Sequence, residues 1–155
     1  MTSAALSTPT TAELVRSACL RTTAAILATD SVAPAPAPVH HLLSDGSVAL
    51  TVPTDSEMAE AAAEAGTAGT EAVLELTDYA PLPLREPVRS LVWIRGQLHP
   101  VPAPAVGELL DLIAAEQPDP ALLRVGSEHS LLRLEAESVV VADATGADLR
   151  ANEGG

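Results

Sequence analysis

The residues best suited to chemistry are concentrated in one segment, residues 88–99. Alternation along a strand places Arg89, Trp93, Arg95 and His99 on the same face. Arginine binds carboxylates through paired N–H donors and stacks on aromatic rings, so this face suits a planar ligand with carboxylates or an acidic partner. The alternative is a barrel exterior packed on a second copy, with its arginines paired to the chain's own acids.

The four histidines are candidate axial ligands for haem: His40, His41, His99 and His129. Adjacent residues on a strand point to opposite faces, so His40 and His41 cannot jointly bind one metal ion. The alternative for this pair is one histidine in the core and one at the surface. For His99, at a strand end, and His129, in a polar turn, the alternative is an exposed loop residue. The spacing of histidine, cysteine and acidic residues resembles no zinc site, and no metal site is predicted.

No group of residues has the order or spacing of a catalytic site, so we expect no catalytic residues and a non-catalytic protein. Ser44 and Asp45 suit a turn. Cys19 lies on the apolar side of a predicted helix, which favours a buried and inert thiol. All eight basic residues are arginines, which excludes a Schiff-base lysine and a phosphate-binding-loop lysine.

Composition limits the classes of partner. The chain has 155 residues, enough for one domain, and 21 acidic residues give it a formal net charge of −13. Such a charge disfavours nucleic acid, whose binding depends on neutralised phosphates. One cysteine, no signal-peptide pattern and no apolar run of membrane-spanning length predict a cytoplasmic protein without membrane contact.

Periodicity and turn residues predict the elements that position these side chains. Asp45-Gly46 between two alternating runs is a strong hairpin signal. Thr54 and Glu57 form a capping box at the start of an alanine-rich helix that ends at Gly66. The predicted helices cover residues 11–21, 54–65 and from Pro104 to before Pro118, with a helical turn at 121–125; the predicted strands cover 22–29, 39–43, 47–52, 71–78, 88–99, 131–136 and 138–142.

These elements predict an α+β fold, an antiparallel β-barrel of about six to seven strands with three helices. Few crossovers separate the strands, which favours antiparallel pairing. We expect the folded domain to cover residues 10–147, with a disordered N-terminus at 1–9 and a flexible tail at 148–155.

Three segments resemble a known superfamily: VHHLLSDGSVALTVPTDSEMAEA, APLPLREPVRSLVWIRGQLHPV and LLRLEAESVVVADATGA. They are similar to the flavin-binding split β-barrel superfamily, the pyridoxamine-phosphate-oxidase-like fold, and to its haem-utilisation branch. The resemblance covers about residues 11–147. It implies a split barrel and a homodimer, and the extra C-terminal domain of that branch is expected to be absent.

One departure from the superfamily bears on the cofactor. In its flavin-binding members, the segment after the second hairpin strand holds the flavin phosphate through hydroxyls and through basic or amide side chains. Thr51, Thr54 and Ser56 keep hydroxyls here, but Glu57 and Glu60 stand where basic or amide residues are expected. Carboxylates repel a phosphate dianion, so bound flavin mononucleotide is not expected.

The resemblance and the residues together predict a flavin-free split-barrel protein that binds haem, a related tetrapyrrole or a protein of that pathway. One alternative is an interaction or regulatory module that acts through its acidic surface or its dimer face. A second is an oxidoreductase using flavin mononucleotide. The residues predicted to bind a ligand are Arg89, Trp93, Arg95, His99, His41, Thr54 and Ser56.

Overall fold

The computed structural model describes Glu13, Cys19 and residues 24–79, 88–143 and 146–151. Eight strands form one antiparallel sheet. Neighbours along the sheet follow the order β2-β1-β5-β6-β7-β4-β3, with β8 paired to β7. The strands are β1 Ala24–Ala28, β2 Ala35–Pro36, β3 His40–Leu42, β4 Val48–Pro53, β5 Thr70–Tyr79, β6 Val88–Pro100, β7 His129–Asp143 and β8 Gly146–Ala151.

The sheet curls because the strands at its two ends are joined by a very short segment. β2 ends at Pro36 and β3 begins at His40. Within this segment, the Ala37 amide donates to the Ala25 carbonyl on β1 at 3.0 Å. The Thr51 amide of β4 donates to the Val39 carbonyl, also at 3.0 Å. The same few residues thus contact both edges of the sheet and draw it into a barrel.

β7 is one continuous strand, whereas the sequence predicts two. Its first half pairs with β4 and its second half with β8, while β6 pairs along the other side. The register shifts between Arg95 and Gly96 of β6, which face Ser138 and Ala136, so Glu137 is an extra residue, a β-bulge. At the bulge the side chains of β7 change face, but the strand itself continues. In the sequence, this change in the alternation resembles a break between two strands.

Two helices pack on opposite sides of the barrel wall. Helix α1, Glu57–Ala65, buries Met58, Ala59 and Ala62 in the main core. Helix α2, Ala103–Glu116, places Ile113 in a second cluster with Ala49 and other residues on the outer face of the sheet. Short 3₁₀ turns follow the helices at Gly66–Ala68 and Pro120–Arg124.

The predicted α+β antiparallel architecture is confirmed, but the counts differ. The described residues contain two α-helices with defined bounds rather than three. Glu13 and Cys19 are helical, and the rest of the helix predicted at 11–21 lies outside the described residues. The sheet has eight strands because Ala35–Pro36 pairs as a short edge strand and residues 148–151, predicted as part of a tail, lie in β8.

The cap of α1 also differs from the sequence prediction. Ser56, rather than Thr54, is the N-cap, and its hydroxyl accepts from the Ala59 amide at 3.2 Å. The helix ends at Gly66, as predicted, with φ of +57°. None of the described helices is both long and apolar enough to cross a membrane.

Candidate functional site

A groove of about 580 Å³ lies between α2 and the ends of β6 and β7. We call it the α2 groove. Its volume falls within the usual range for small-molecule sites. Apolar side chains make most of its walls, and a few polar side chains converge on it. Its lining residues are Leu43, Gly66, Thr67, His99, Pro100, Val101, Pro102, Ala105, Glu108, Leu109, Leu112, Arg133 and Glu135.

His99 is held in the α2 groove by the backbone beneath it. A Cβ added to Gly69 would lie 2.6 Å from Cε1 of the imidazole, so the ring packs directly on this glycine. The side chain is 20% exposed. Its Nε2 atom is buried and has no hydrogen-bond partner. A buried polar atom without a partner costs free energy, and a ligand atom at Nε2 would remove that cost.

Arg133 supplies the positive charge in the α2 groove. One of its terminal nitrogens, Nη2, lies 3.1 Å from Oε1 of Glu135 and 3.8 Å from Oδ2 of Asp45. Its Nε is buried without a hydrogen-bond partner. Hydrogen bonds from the Ser47 hydroxyl and amide hold the pKa of Asp45 below its ordinary value, and Arg133 adds to this effect. The guanidinium therefore lies between two carboxylates with part of its donor capacity unused.

Four residues form one cross-strand row on the outer face of the sheet. His41 faces Ala49, Ala49 faces Arg133, and Arg133 faces His99. With neighbouring strands ~4.8 Å apart, the row spans about 14 Å. Helix α2 crosses this row: Leu109 and Leu112 line the groove beside His99, and Gln117, its C-cap residue, contacts His41.

One ring nitrogen of His41 is engaged within the fold. The side chain is buried, and its Nδ1 lies 2.6 Å from the Gln117 amide oxygen. Because an amide oxygen accepts, Nδ1–H is the donor. The other ring nitrogen, Nε2, is buried without a hydrogen-bond partner and lies 3.6 Å from Oε1 of Glu116. His41 does not line the α2 groove.

His40 points to the opposite face, as the strand alternation requires. Its Nδ1 lies 3.1 Å from the Ala37 carbonyl oxygen. A pocket of about 240 Å³ lies beside it, lined in part by Cys19 and Asp119. Burial lowers the pKa of His40 and raises the pKa of the Cys19 thiol to about 12. A thiol in this environment is inert, in agreement with the sequence prediction.

The side chains on the face of β6 named from the sequence have separate partners or surroundings. Trp93 Nε1 donates to Oε2 of Glu75 at 2.8 Å, and Arg95 is paired with Glu71. Alternation over the six residues from Trp93 to His99 separates them by about 20 Å. The side chain of Arg89 lies outside the described residues. His99 therefore belongs with Arg133, a residue of β7, rather than with the other β6 side chains.

The two hydroxyls named from the sequence as phosphate ligands, those of Thr54 and Ser56, form hydrogen bonds within the protein. Thr54 Oγ1 accepts from the Ser130 hydroxyl at 3.2 Å, and Ser56 caps α1 while its hydroxyl donates to the Pro53 carbonyl. Glu57 accepts from the Ala33 amide through its carboxylate. The first turn of α1 carries two carboxylates, so its electrostatics disfavour a phosphate.

His129 begins β7, and its buried Nδ1 has no hydrogen-bond partner. It does not line the α2 groove. Within the described part of the chain, no three histidine, cysteine or acidic side chains are close enough to hold a metal ion. The four histidines are thus dispersed, and His99 alone among them lines the large groove.

Arg133 and Glu135 line the groove but were not predicted from the sequence as site residues. The pattern that could have indicated them is the alternation Leu132, Arg133, Leu134, Glu135, which places two opposite charges on the outer face of a buried strand. That they lie beside His99 depends on the β6–β7 register, in which His99 faces Arg133.

Comparisons with known proteins show solved structures of similar fold. A haem-binding protein from Mycobacterium smegmatis matches with a TM-score of 0.64 and 18% identity, over 95% of this chain and 60% of its own. A protein of unknown function from Agrobacterium tumefaciens matches with a TM-score of 0.58 and 19% identity, over 90% of this chain and 61% of its own. This chain thus spans about three fifths of each of these two proteins.

A third structure belongs to the pyridoxinephosphate oxidase family. It is a protein from Clostridium acetobutylicum related to a general stress protein, with a TM-score of 0.59 and 13% identity over 92% of this chain and 95% of its own. No protein-family model matches the chain, and neither does any curated protein. At these identities the similarity concerns the fold. The curled antiparallel sheet and its structural neighbours together show that this chain has a split β-barrel fold, which it shares with a haem-binding protein and with a member of the pyridoxinephosphate oxidase family.

Proposed function

We propose that this protein binds haem or a related tetrapyrrole in the α2 groove and has no catalytic role of its own. The observation that carries the proposal is His99, which lines a largely apolar groove and whose buried Nε2 has no hydrogen-bond partner. An imidazole nitrogen of this kind is a common axial ligand of haem iron. The structural similarity to a haem-binding protein supports the same proposal.

The other side chains of the groove fit the two kinds of surface that a tetrapyrrole presents. The faces of the macrocycle are apolar, and Val101, Leu109 and Leu112 offer matching walls. Leu112 is 45% exposed, which is high for a large apolar side chain. The carboxylates of the ligand require a cation, and Arg133 is the arginine of the groove lining. Bound haem would supply a redox-active iron, and the residues named here would bind and orient it.

Flavin mononucleotide is the weaker candidate on local chemistry. Thr54 and Ser56 are engaged within the fold, and Glu57 and Glu60 place negative charge in the first turn of α1. A phosphate at this position would meet repulsion rather than a pairing cation. We therefore propose that the chain uses the split-barrel fold without flavin.

We also propose a homodimer, as the resemblance implies, through the outer face of β1, β5 and β6. Ile26, Glu75 and Trp93 are successive cross-strand partners on this face, and Ile26 is 44% exposed. The neighbouring Arg95–Glu71 ion pair places one positive and one negative charge on this face. Across a twofold axis, each of these charges can lie near the opposite charge of the second copy. Sedimentation should show that the wild-type protein is a dimer and that the Ile26→Glu variant is a monomer. A wild-type monomer at tens of micromolar, or an Ile26→Glu variant that remains a dimer, would contradict this interface.

A titration with haemin tests the proposed ligand. Purified protein should shift the Soret band of haemin with saturation at one haem per chain, and it should take up no flavin mononucleotide at micromolar concentration. A protein that leaves the haemin spectrum unchanged would overturn the proposal. A yellow protein that retains flavin through gel filtration would replace haem with the flavin alternative.

A further inference from the structure

We propose that His41 is a positioning residue for the α2 groove: acting through Gln117, it fixes how α2 lies across the sheet and thereby the width of the groove beside His99. This inference concerns the site of the proposed function, but it rests on contacts that exist without a ligand. His41 is about 14 Å from His99 along the cross-strand row, so it does not touch the groove itself.

Helix α2 is attached to the barrel at both ends. It follows β6 directly, and the Val101 amide donates to the Leu131 carbonyl at 3.3 Å. Of its 14 residues, Ile113 alone is buried; it packs with Ala49, the residue that follows His41 in the cross-strand row. Immediately after the helix, Gln117 accepts the 2.6 Å hydrogen bond from His41. The C-terminal attachment therefore lies at the end of the helix that is farther from His99.

The groove lies along the middle of α2, between these two attachments. Ala105, Glu108, Leu109 and Leu112 lie along the groove, and the last of these is half exposed. Because the N-terminal end of the helix is joined to β6, the angle at which α2 crosses the sheet depends on where its C-terminal end is held. A change at Gln117 therefore changes the distance between the helix and the sheet along the groove.

The hydrogen bond between His41 and Gln117 gives the C-terminal attachment its direction. Ile113 supplies buried area, but apolar packing is non-directional and allows the helix to slide or rotate. A partly buried hydrogen bond of 2.6 Å between β3 and the helix cap favours one orientation, and Oε1 of Glu116 lies 3.6 Å from the other ring nitrogen of His41. Removing Gln117 leaves Nδ1 of the buried His41 unpaired, and removing His41 leaves the half-buried Gln117 amide unpaired, so either change favours a displaced helix.

Four variants separate positioning from general stability. His41→Leu and Gln117→Leu each remove the hydrogen bond, and His41→Asn restores a side-chain N–H donor near the position of Nδ1. Ser130→Ala is the matched control, because it removes another side-chain hydrogen bond between distant parts of the chain, to Thr54, that does not involve α2.

The first measurement is hydrogen exchange of the ligand-free protein. In His41→Leu and Gln117→Leu, the amides of α2 should exchange about tenfold faster, while those of β5 and β6 remain protected. His41→Asn should restore most of the protection, and Ser130→Ala should leave α2 unchanged. An equal loss of protection in α2 and the sheet, or an equal effect of Ser130→Ala on α2, would overturn the proposal.

The second measurement reports on the groove itself. The imidazole signals of His99 are assigned by their disappearance in His99→Gln and should shift in His41→Leu and Gln117→Leu but not in Ser130→Ala. Unchanged His99 signals alongside faster exchange of α2 would overturn the link between the helix and the groove. Both measurements use protein without haemin, so a failure of haem binding would leave this inference standing, and its failure would leave haem binding standing.

Discussion

His99 and Glu135 face one another in the α2 groove without forming a hydrogen bond: Nε2 of His99 lies 3.7 Å from Oε1 of Glu135. Nη2 of Arg133 lies 3.1 Å from the same carboxylate oxygen. The guanidinium thus pairs with this carboxylate, and Nε2 of His99 is buried beside it without a hydrogen-bond partner. This arrangement is what makes the groove suited to a ligand that needs both an imidazole and a cation.

Replacing Glu135 with glutamine should strengthen haemin binding by about three- to tenfold. The change removes a negative charge from beside His99 and frees Arg133 for a carboxylate of the ligand. Glu137→Gln is the matched control, since Glu137 is an exposed bulge residue on the same strand. Titration at fixed ionic strength measures both dissociation constants. Weaker binding in Glu135→Gln, or an equal gain in both variants, would contradict this role of Glu135.

Gly96→Ala should destabilise the fold by more than ~3 kcal/mol, because a Cβ at this position would lie 1.9 Å from the backbone carbonyl oxygen of Glu135. Gly107→Ala is the opposite case. Gly107 lies within α2 with no atom within 4 Å of an added Cβ, so alanine should stabilise the protein by about 0.5–1 kcal/mol. Urea unfolding of the three proteins measures both effects. A Gly96→Ala protein as stable as wild type would show that β6 and β7 approach less closely than described.

His40 should make the protein less stable as the pH falls. Burial lowers its pKa in the folded state below the ordinary value of 6.5, although the carbonyls of Ala37 and Cys19 and the charge of Asp119 oppose this. Below about pH 6.5 the unfolded chain therefore binds more protons than the folded protein, and the free energy of unfolding falls as the pH decreases. Above that pH the group is neutral in both states and contributes no pH dependence.

The comparison that checks this is urea unfolding of wild type and His40→Asn at about pH 7.5, 6.5 and 5.5. The variant should lose less stability than wild type over this interval. The carboxyl of Asp45, whose pKa is lowered by Ser47, acts in the same sense, but only near and below its ordinary value of 3.8. A steeper loss of stability in His40→Asn than in wild type would mean that the histidine favours the folded state when charged.

Cys19 should resist thiol reagents while the protein is folded. With its pKa raised to about 12 by burial, about one molecule in ten thousand carries a thiolate at pH 8, and the thiolate is the reactive form. Absorbance with an aromatic disulfide reagent should show labelling at least a hundredfold slower than in urea. Rapid stoichiometric labelling of the native protein would place the thiol at the surface.

The sequence predicts the barrel better than it predicts the site, for a physical reason. Alternation and turn residues are local, so the hairpin at Gly46 and the helix ending at Gly66 could be found from neighbouring residues alone. The predicted ligand face on β6 also followed from alternation, but alternation does not reveal partners on other strands. Trp93 and Arg95 are paired with acids of β5, and the partner of His99 is Arg133, 34 positions later in the chain.

The N-cap of α1 and the length of β7 also differ from the sequence prediction, because both depend on contacts between distant parts of the chain. Thr54 and Glu57 match a capping box, but the chain turns two residues later because the Thr54 amide donates to the Glu128 carbonyl, which holds it beside β7. The two strands predicted after residue 131 are one strand, since the bulge at Glu137 needs β6 to define it. Both the start of α1 and the continuity of β7 are set by pairing between strands that are distant in the chain.

The central claim is that His99 is the histidine that binds the iron of haem, and one comparison tests it most directly. Haemin is titrated into wild type, His99→Ala and His129→Ala, the last changing a histidine that also has a buried unpartnered nitrogen but does not line the groove. We predict that His99→Ala weakens binding at least tenfold and loses the wild-type Soret position, while His129→Ala retains both. Wild-type spectra and affinity in His99→Ala, or their loss in His129→Ala alone, would contradict the account.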